Sequence, residues 1–230
     1  MNMKRLIFIV LAALSLSACT RNTEYRIDGE TYNKQIFDAR NRQITNFKNW
    51  ELISDFFVSP DGKKMLVYHR PDKSRAFLIT LFDLPHRKII AECEPGWACS
   101  GVRWTEDYLI YVWATTGGGT NFEYRNYNNL AVEKTINAFL PFEDQEDNIL
   151  IGASYFYGEP EVVFYNYSSG AEIKAFDSVE ELKSKGINAN YTRIDDIRKT
   201  GKSMYEFDVM YCSDPENMEE ELKTVLELEL

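Results

Sequence analysis

The constraint that weighs most on this chain is recurrence. The segment "FFVSPDGKKMLVYHRPDKSRAFLITLFDLPHRKIIAEC" is followed by "GVRWTEDYLIYVWATTGGGTNFEYRNYNNLAVEKTI", and both run strand, acidic turn, strand, polar loop, strand, turn, strand. Two further segments, "FEDQEDNILIGASYFYGEPEVVFYNYSSGAEIKAF" and "TRIDDIRKTGKSMYEFDVMYCSDPENMEEELKTVLELEL", keep that order, with the units spaced roughly 40 to 50 residues apart. A unit of this length holds four short antiparallel strands and cannot bury its apolar surface alone, so it must stack on its neighbours. In "MYEFDVMYC" Tyr205, Phe207, Val209 and Tyr211 share one face and Glu206 and Asp208 the other, the period of a half-buried strand. "LITLFDL", "YLIYVWA" and "VVFYNY" are continuously apolar, as strands covered on both faces are.

Turn chemistry falls where such units need it. Asp61-Gly62, Glu106-Asp107, Asp147-Asn148 and Thr200-Gly201 stand between first and second strands, where a short hairpin favours residues that tolerate positive φ. Ser59-Pro60-Asp61-Gly62-Lys63 resembles the turn that often follows the innermost strand in TolB-like and WD-repeat β-propellers. Trp104-Thr105-Glu106-Asp107 is a reduced version of it, and the other two units match by pattern alone. The resemblance covers most of residues 50–230. It implies an all-β chain, a small β-propeller or propeller-like stack of about four four-stranded antiparallel sheets. "YNKQIFDARNRQITNF" reads as outer strands of a blade without its inner strands. In "LKTVLELEL" Leu226, Leu228 and Leu230 alternate with Glu227 and Glu229, the pattern of an edge or closing strand that would complete a ring with that N-terminal segment. One short inserted helix is expected between the third and fourth units: Ser178 and Glu181 form a capping box, Val179 to Lys185 make two turns, and Gly186 suits a left-handed stop.

The start of the chain carries an address. Lys4 and Arg5 precede the apolar run "LIFIVLAALSLSA", whose length of about 13 falls short of the roughly 20 residues a membrane span needs. The run ends in Leu16-Ser17-Ala18-Cys19, which resembles the lipobox of bacterial lipoproteins. That resemblance implies removal of a signal peptide, residues 1–18, and acylation of Cys19, giving a lipid anchor in the membrane. Thr20 is not the aspartate associated with inner-membrane retention, so in a Gram-negative envelope the implied place is the outer membrane, facing the periplasm. Residues 19–35 then serve as lipidated N-terminus and polar tether, and residues 36–230 as a single propeller-like domain.

Charge excludes one class of partner. The chain has a formal charge of −10, and removing Lys4 and Arg5 with the signal takes away two positive charges and no negative one, leaving −12. A phosphate backbone demands a positive footprint, and no Lys/Arg-rich run is present, so nucleic acid is not an expected partner. Cys93 and Cys99 bracket "CEPGWAC", where Pro95-Gly96 supplies a tight reversal; in an oxidising compartment a disulfide is expected there. Zinc would need a second Cys or His pair, which does not follow, and Cys212 reads as a small buried apolar residue.

Catalytic patterns are sparse. His69 and His86 neighbour neither a Ser nor a Cys nucleophile pattern, and both read as surface or half-buried side chains. Asp195-Asp196 and Glu159/Glu161 lie near strand ends and read as solvated turn charges rather than an acid/base pair. "TTGGGTN" leads into a strand, not a helix, and so reads as a flexible loop rather than a phosphate cradle. "EDQEDN" lacks the alternation of a calcium loop. No cofactor and no metal is called for.

Topology places one surface. In a blade whose first strand is innermost, the loop between strands two and three shares a rim with the loop joining one blade to the next. "CEPGWAC", the glycine loop, "YFYGEPE" and "DPENMEE" then share that rim, with Trp97, Tyr155, Phe156 and Tyr157 as candidate binding residues. The expected function is a non-catalytic protein-interaction module that binds a periplasmic or envelope protein. The alternative from another class is a hydrolase or binder acting on envelope glycans or peptides, which a deep cleft with paired carboxylates would mark.

Overall fold

A computed structural model describes residues 24–48, 52–71, 76–153, 161–214 and 221–230. The chain is nearly all β and divides into two compact units, one ending at Pro95 and one beginning at Gly96.

The first unit holds a two-stranded hairpin and one complete blade-type sheet. β1 (Tyr25–Asp28) pairs with β2 (Gln35–Asp38) alone, so part of the stretch expected as tether is strand. β3 (Leu52–Val58), β4 (Lys64–Arg70), β5 (Leu78–Asp83) and β6 (Lys88–Cys93) form an antiparallel meander in chain order. Its core joins Ile36 to Ile53, Met65, Val67, Phe82 and Leu84. Gln35 fastens the hairpin, accepting from Phe47 N at 3.0 Å and donating to Phe47 O at 2.9 Å.

The second unit repeats the meander. β7 (Gly101–Trp104), β8 (Tyr108–Ala114), β9 (Thr120–Asn126) and β10 (Val132–Ala138) form one four-stranded sheet. β11 (Phe142–Asp144), β12 (Ile149–Ala153), β13 (Glu161–Asn166) and β14 (Glu172–Asp177) form the next. Among the described residues the last sheet has three strands: β15 (Tyr191–Gly201), β16 (Met204–Cys212) and β17 (Leu222–Glu229). β17 is the strand that the Leu/Glu alternation predicts, with Leu226 and Leu228 buried. In the described sheets it pairs with β16 only, and β1 with β2 only.

Sheets within this unit pack through dry faces. Ile110, Val112, Phe122, Tyr124, Ile136 and Ala138 meet Leu150 and Tyr167 of the following sheet. Phe164, Ile149 and Ile151 meet Tyr205, Phe207 and Leu226 in turn. Each such large side chain, removed from water, contributes roughly 1.5–3 kcal/mol. Hydroxyls tie the layers together: Tyr124 donates to Tyr167 O at 3.0 Å, and Tyr205 to Asp144 Oδ2 at 2.9 Å.

The third-to-fourth-strand hairpins share one construction, which the sequence reading overlooked. Asp83, Asn126 and Asn166 each accept a backbone N–H two or three residues on, at 3.2, 2.8 and 3.0 Å. Four residues after each stands a positive φ, at Arg87 (50°), Leu130 (57°) and Gly170 (62°). A register shift follows in all three pairs, the bulge that such a turn requires.

First-to-second-strand turns follow the expected chemistry less uniformly. Ser59 Oγ accepts Lys64 N at 2.9 Å and donates to Asp61 Oδ1 at 2.6 Å, with Gly62 at φ 67°. Thr105 Oγ1 reproduces the acceptor, taking Tyr108 N at 3.0 Å. In the last sheet the reversal falls at Lys202-Ser203, not Thr200-Gly201: Gly201 ends β15, and Ser203 takes the positive φ of 55°. Register shifts between Ile194 and Asp196 and between Lys199 and Gly201 add residues to β15.

The inserted helix is α1 (Ser178–Ser184), between the third and fourth sheets as expected. Its cap is Asp177, not Ser178: the carboxylate accepts from Val179 N at 2.9 Å and Glu180 N at 3.1 Å. Ser178, already helical and buried, bonds Thr192 Oγ1 at 2.6 Å instead. Gly186, at φ 80°, ends it.

Candidate interaction surface

Of the four aromatic residues expected on the rim, Trp97 is described, and it is 56 % exposed. Tyr155, Phe156 and Tyr157 lie outside the described residues, as does Cys19. Gly96 takes a positive φ of 82°, and Trp97, which follows it, is exposed. Cys93 ends β6 and is half-buried; Cys99 is half-buried too, its thiol 3.5 Å from Gly101 O, and the structure contains no disulfide between them.

Trp97 is held from beneath by residues that the sequence reading did not single out. Its ring stacks on Trp113, near the end of β8, with centroids 4.9 Å apart and planes 10° from parallel. Its carbonyl accepts the hydroxyl of Tyr111 at 2.7 Å. The Trp113 indole N–H donates to Glu123 Oε1 at 2.9 Å, and Glu123 Oε2 takes Arg125 Nε at 2.9 Å. The Arg125 guanidinium lies 5.3 Å from the Tyr111 ring centre and donates to Leu130 O at 2.9 Å. Tyr111, Glu123 and Arg125 are all buried, so an exposed indole stands on a fixed polar support. Register explains the gathering: Glu123 faces Tyr111 and Asn121 faces Trp113 across β8 and β9, while Phe122 and Tyr124 point to the opposite, dry face. The alternation in "NFEYRN" was the available signal.

The glycine loop next to Trp113 is closed by its own bonds rather than open. Thr115 N donates to Gly119 O at 2.7 Å, and Thr115 Oγ1 accepts Gly119 N at 2.9 Å. β9 follows directly, so no helix N-terminus meets the loop. Below it, Asn121 accepts from Asn137 Nδ2 at 3.0 Å, and its own Nδ2 is buried without a partner among the described residues.

The remaining candidates for chemistry are structural. His69 is buried, not half-exposed; it stacks on Phe47 and shares a 2.6 Å hydrogen bond with Thr80, which donates on to Glu92 at 2.6 Å. His86 pairs with Asp83 on the surface at 2.9 Å. In "EDQEDN", Asp144 and Asp147 both bind Lys199, at 2.9 and 2.8 Å. The Lys199 hydrogen bond is the main reason the Asp147 carboxyl lies below the usual range. Asp144 is pushed up by burial, but Lys199, Asp147 N and Tyr205 more than offset this and hold it low. Asp195 and Asp196 pair with Arg193 and Arg198, and burial pushes the Cys212 thiol up, as a small buried residue requires.

No family description matches this chain, and no curated protein does. Among solved structures the chain is similar to BamB from Moraxella catarrhalis at 10 % identity and a TM-score of 0.42, covering 90 % of this chain and 65 % of that one. Saccharomyces cerevisiae Sqt1 gives 10 % identity and 0.41, over 89 % and 60 %. The WD40 repeats of RRP9 give 9 % and 0.36, over 89 % and 54 %. The chain thus spans less than two thirds of each of these three.

Proposed function

We propose that this chain is a non-catalytic protein-interaction module, anchored by a lipid on Cys19 and facing the periplasm from the outer membrane. The observation that carries the interaction role is Trp97: a large amphipathic ring, more than half exposed, set on the buried Tyr111, Glu123 and Arg125. Such an anchor loses little freedom on binding, which is what distinguishes an interface hot spot from an incidental surface aromatic. The lipobox-like Leu16-Ser17-Ala18-Cys19 supports the anchor, and Cys93 and Cys99 would pair in the same oxidising compartment.

The test is crosslinking and affinity capture of the full-length lipidated protein from its native envelope, beside Trp97→Ala. Loss of one specific protein in the variant, with folding intact, supports the module; an unchanged partner set sinks it. Cys19→Ser should separately abolish lipid labelling and release the protein from the membrane fraction.

A further inference from the structure

We infer that the Trp97–Trp113 stack receives an arginine side chain of the partner protein; this rests on the interaction reading above. One face of the Trp97 indole is covered by Trp113, and its exposure leaves the opposite face as the available contact. An indole face is electron-rich and attracts a cation within about 6 Å of its centre. Behind it, Trp113 gives its N–H to the Glu123 carboxylate, which fixes the lower ring of the stack in place.

Charge favours the same ligand. No lysine or arginine stands between residues 104 and 124, so β8, the glycine loop and most of β9 are free of positive charge. Arg125, which follows, is buried and committed to Glu123 and Leu130. The formal charge of the whole chain, −10, draws cations and repels anionic segments. Between the two basic side chains the geometry selects arginine. A flat, weakly hydrated guanidinium lies parallel on a fixed indole, whereas an ammonium keeps its water. Tyr111 fixes the Trp97 backbone, so the surface exists before the ligand arrives.

The probe is a blocked Gly-Arg-Gly-Arg-Gly peptide, compared with its citrulline counterpart, which has the same shape and no charge. The readout is the indole N–H resonances of the mature chain, with Trp104, on β7, as internal reference. The arginine peptide should move the Trp97 and Trp113 signals saturably, with an apparent Kd at least about fivefold lower than citrulline. The gap should close as salt rises from about 0.01 M to about 1 M. In Trp97→Ala the Trp113 signal should no longer respond.

Equal binding of the citrulline peptide, a stronger response to a proline-rich peptide or a neutral oligosaccharide, or no saturable shift would each overturn the inference. The two readings fail separately. If the arginine peptide leaves the indoles unmoved while Trp97→Ala still loses its envelope partner, the module stands and the arginine assignment falls. If Trp97→Ala keeps its partner, the module reading itself has failed.

Discussion

The two faces of the β7–β10 sheet are made from the same strands and serve different ends. On one, Ile110, Val112, Phe122 and Tyr124 alternate inward to a dry contact with the next sheet. On the other, the buried Tyr111, Asn121, Glu123 and Arg125 form a polar row with the half-buried Trp113 beneath an exposed indole. The first face supplies cohesion. A buried ion pair such as Glu123–Arg125 adds little net stability over an apolar pair, because desolvation consumes most of its attraction. What it adds is placement of a neighbouring group, here Trp113 and through it Trp97.

That division can be broken most forcefully at Phe122. Phe122→Ala should cost about 3–5 kcal/mol and register as a large drop in denaturation midpoint, since it opens a cavity in a packed interior. On the polar face Arg125→Met should also cost roughly 3–5 kcal/mol, by leaving Glu123 buried and unpaired, but the double variant Glu123→Leu/Arg125→Met should recover most of it. A double variant as unstable as the single one would show that the pair does bind the fold together. The double variant should still lose partner capture, because Trp113 loses its acceptor.

A smaller, pH-dependent effect is expected where Lys199 joins β15 to the β11–β12 turn. The hydrogen bonds that Lys199 donates to Asp147 and Asp144 raise the lysine above its usual 10.5 and help hold both carboxyls below 3.8. Their contribution is therefore full between about pH 4 and pH 10.5. It is lost below that window as the carboxylates protonate, and above it as the ammonium deprotonates. Lys199→Met should lower the thermal midpoint across the window and converge on wild type as acid is added; a constant difference down to pH 2 would contradict this sign. Least of all should Trp97→Ala affect stability, within about 0.5 kcal/mol by chemical denaturation, since its ring is mostly outside the core.

Much of the fold was legible because strand alternation and turn residues act locally. "MYEFDVMYC" became β16 with Tyr205, Phe207 and Val209 buried, and Ser59-Pro60-Asp61-Gly62 closed the turn it resembles. The hairpins at Asp83, Asn126 and Asn166 escaped notice because Arg, Leu and Gly occupy the same backbone conformation, and only the first position of each turn keeps its chemical type. The helix cap was misplaced by one residue because Ser178 and Asp177 can both accept N–H groups, and the buried hydroxyl of Thr192 decided between them. Trp97 could be picked out by its Pro-Gly flank. Its stack on Trp113 could not, since that depends on how a loop returns over β8, which no local pattern encodes.

The shared hairpin construction has a bearing on how such a chain could change length. In each turn the side chain of the first residue, Asp83, Asn126 or Asn166, accepts an N–H two or three residues on, and the bonds that close the turn stay within one unit. A tandem duplication or deletion of one whole unit would therefore carry its turns intact and ask only that two sheet faces match anew. Gain or loss of a blade becomes a single genetic event rather than a redesign.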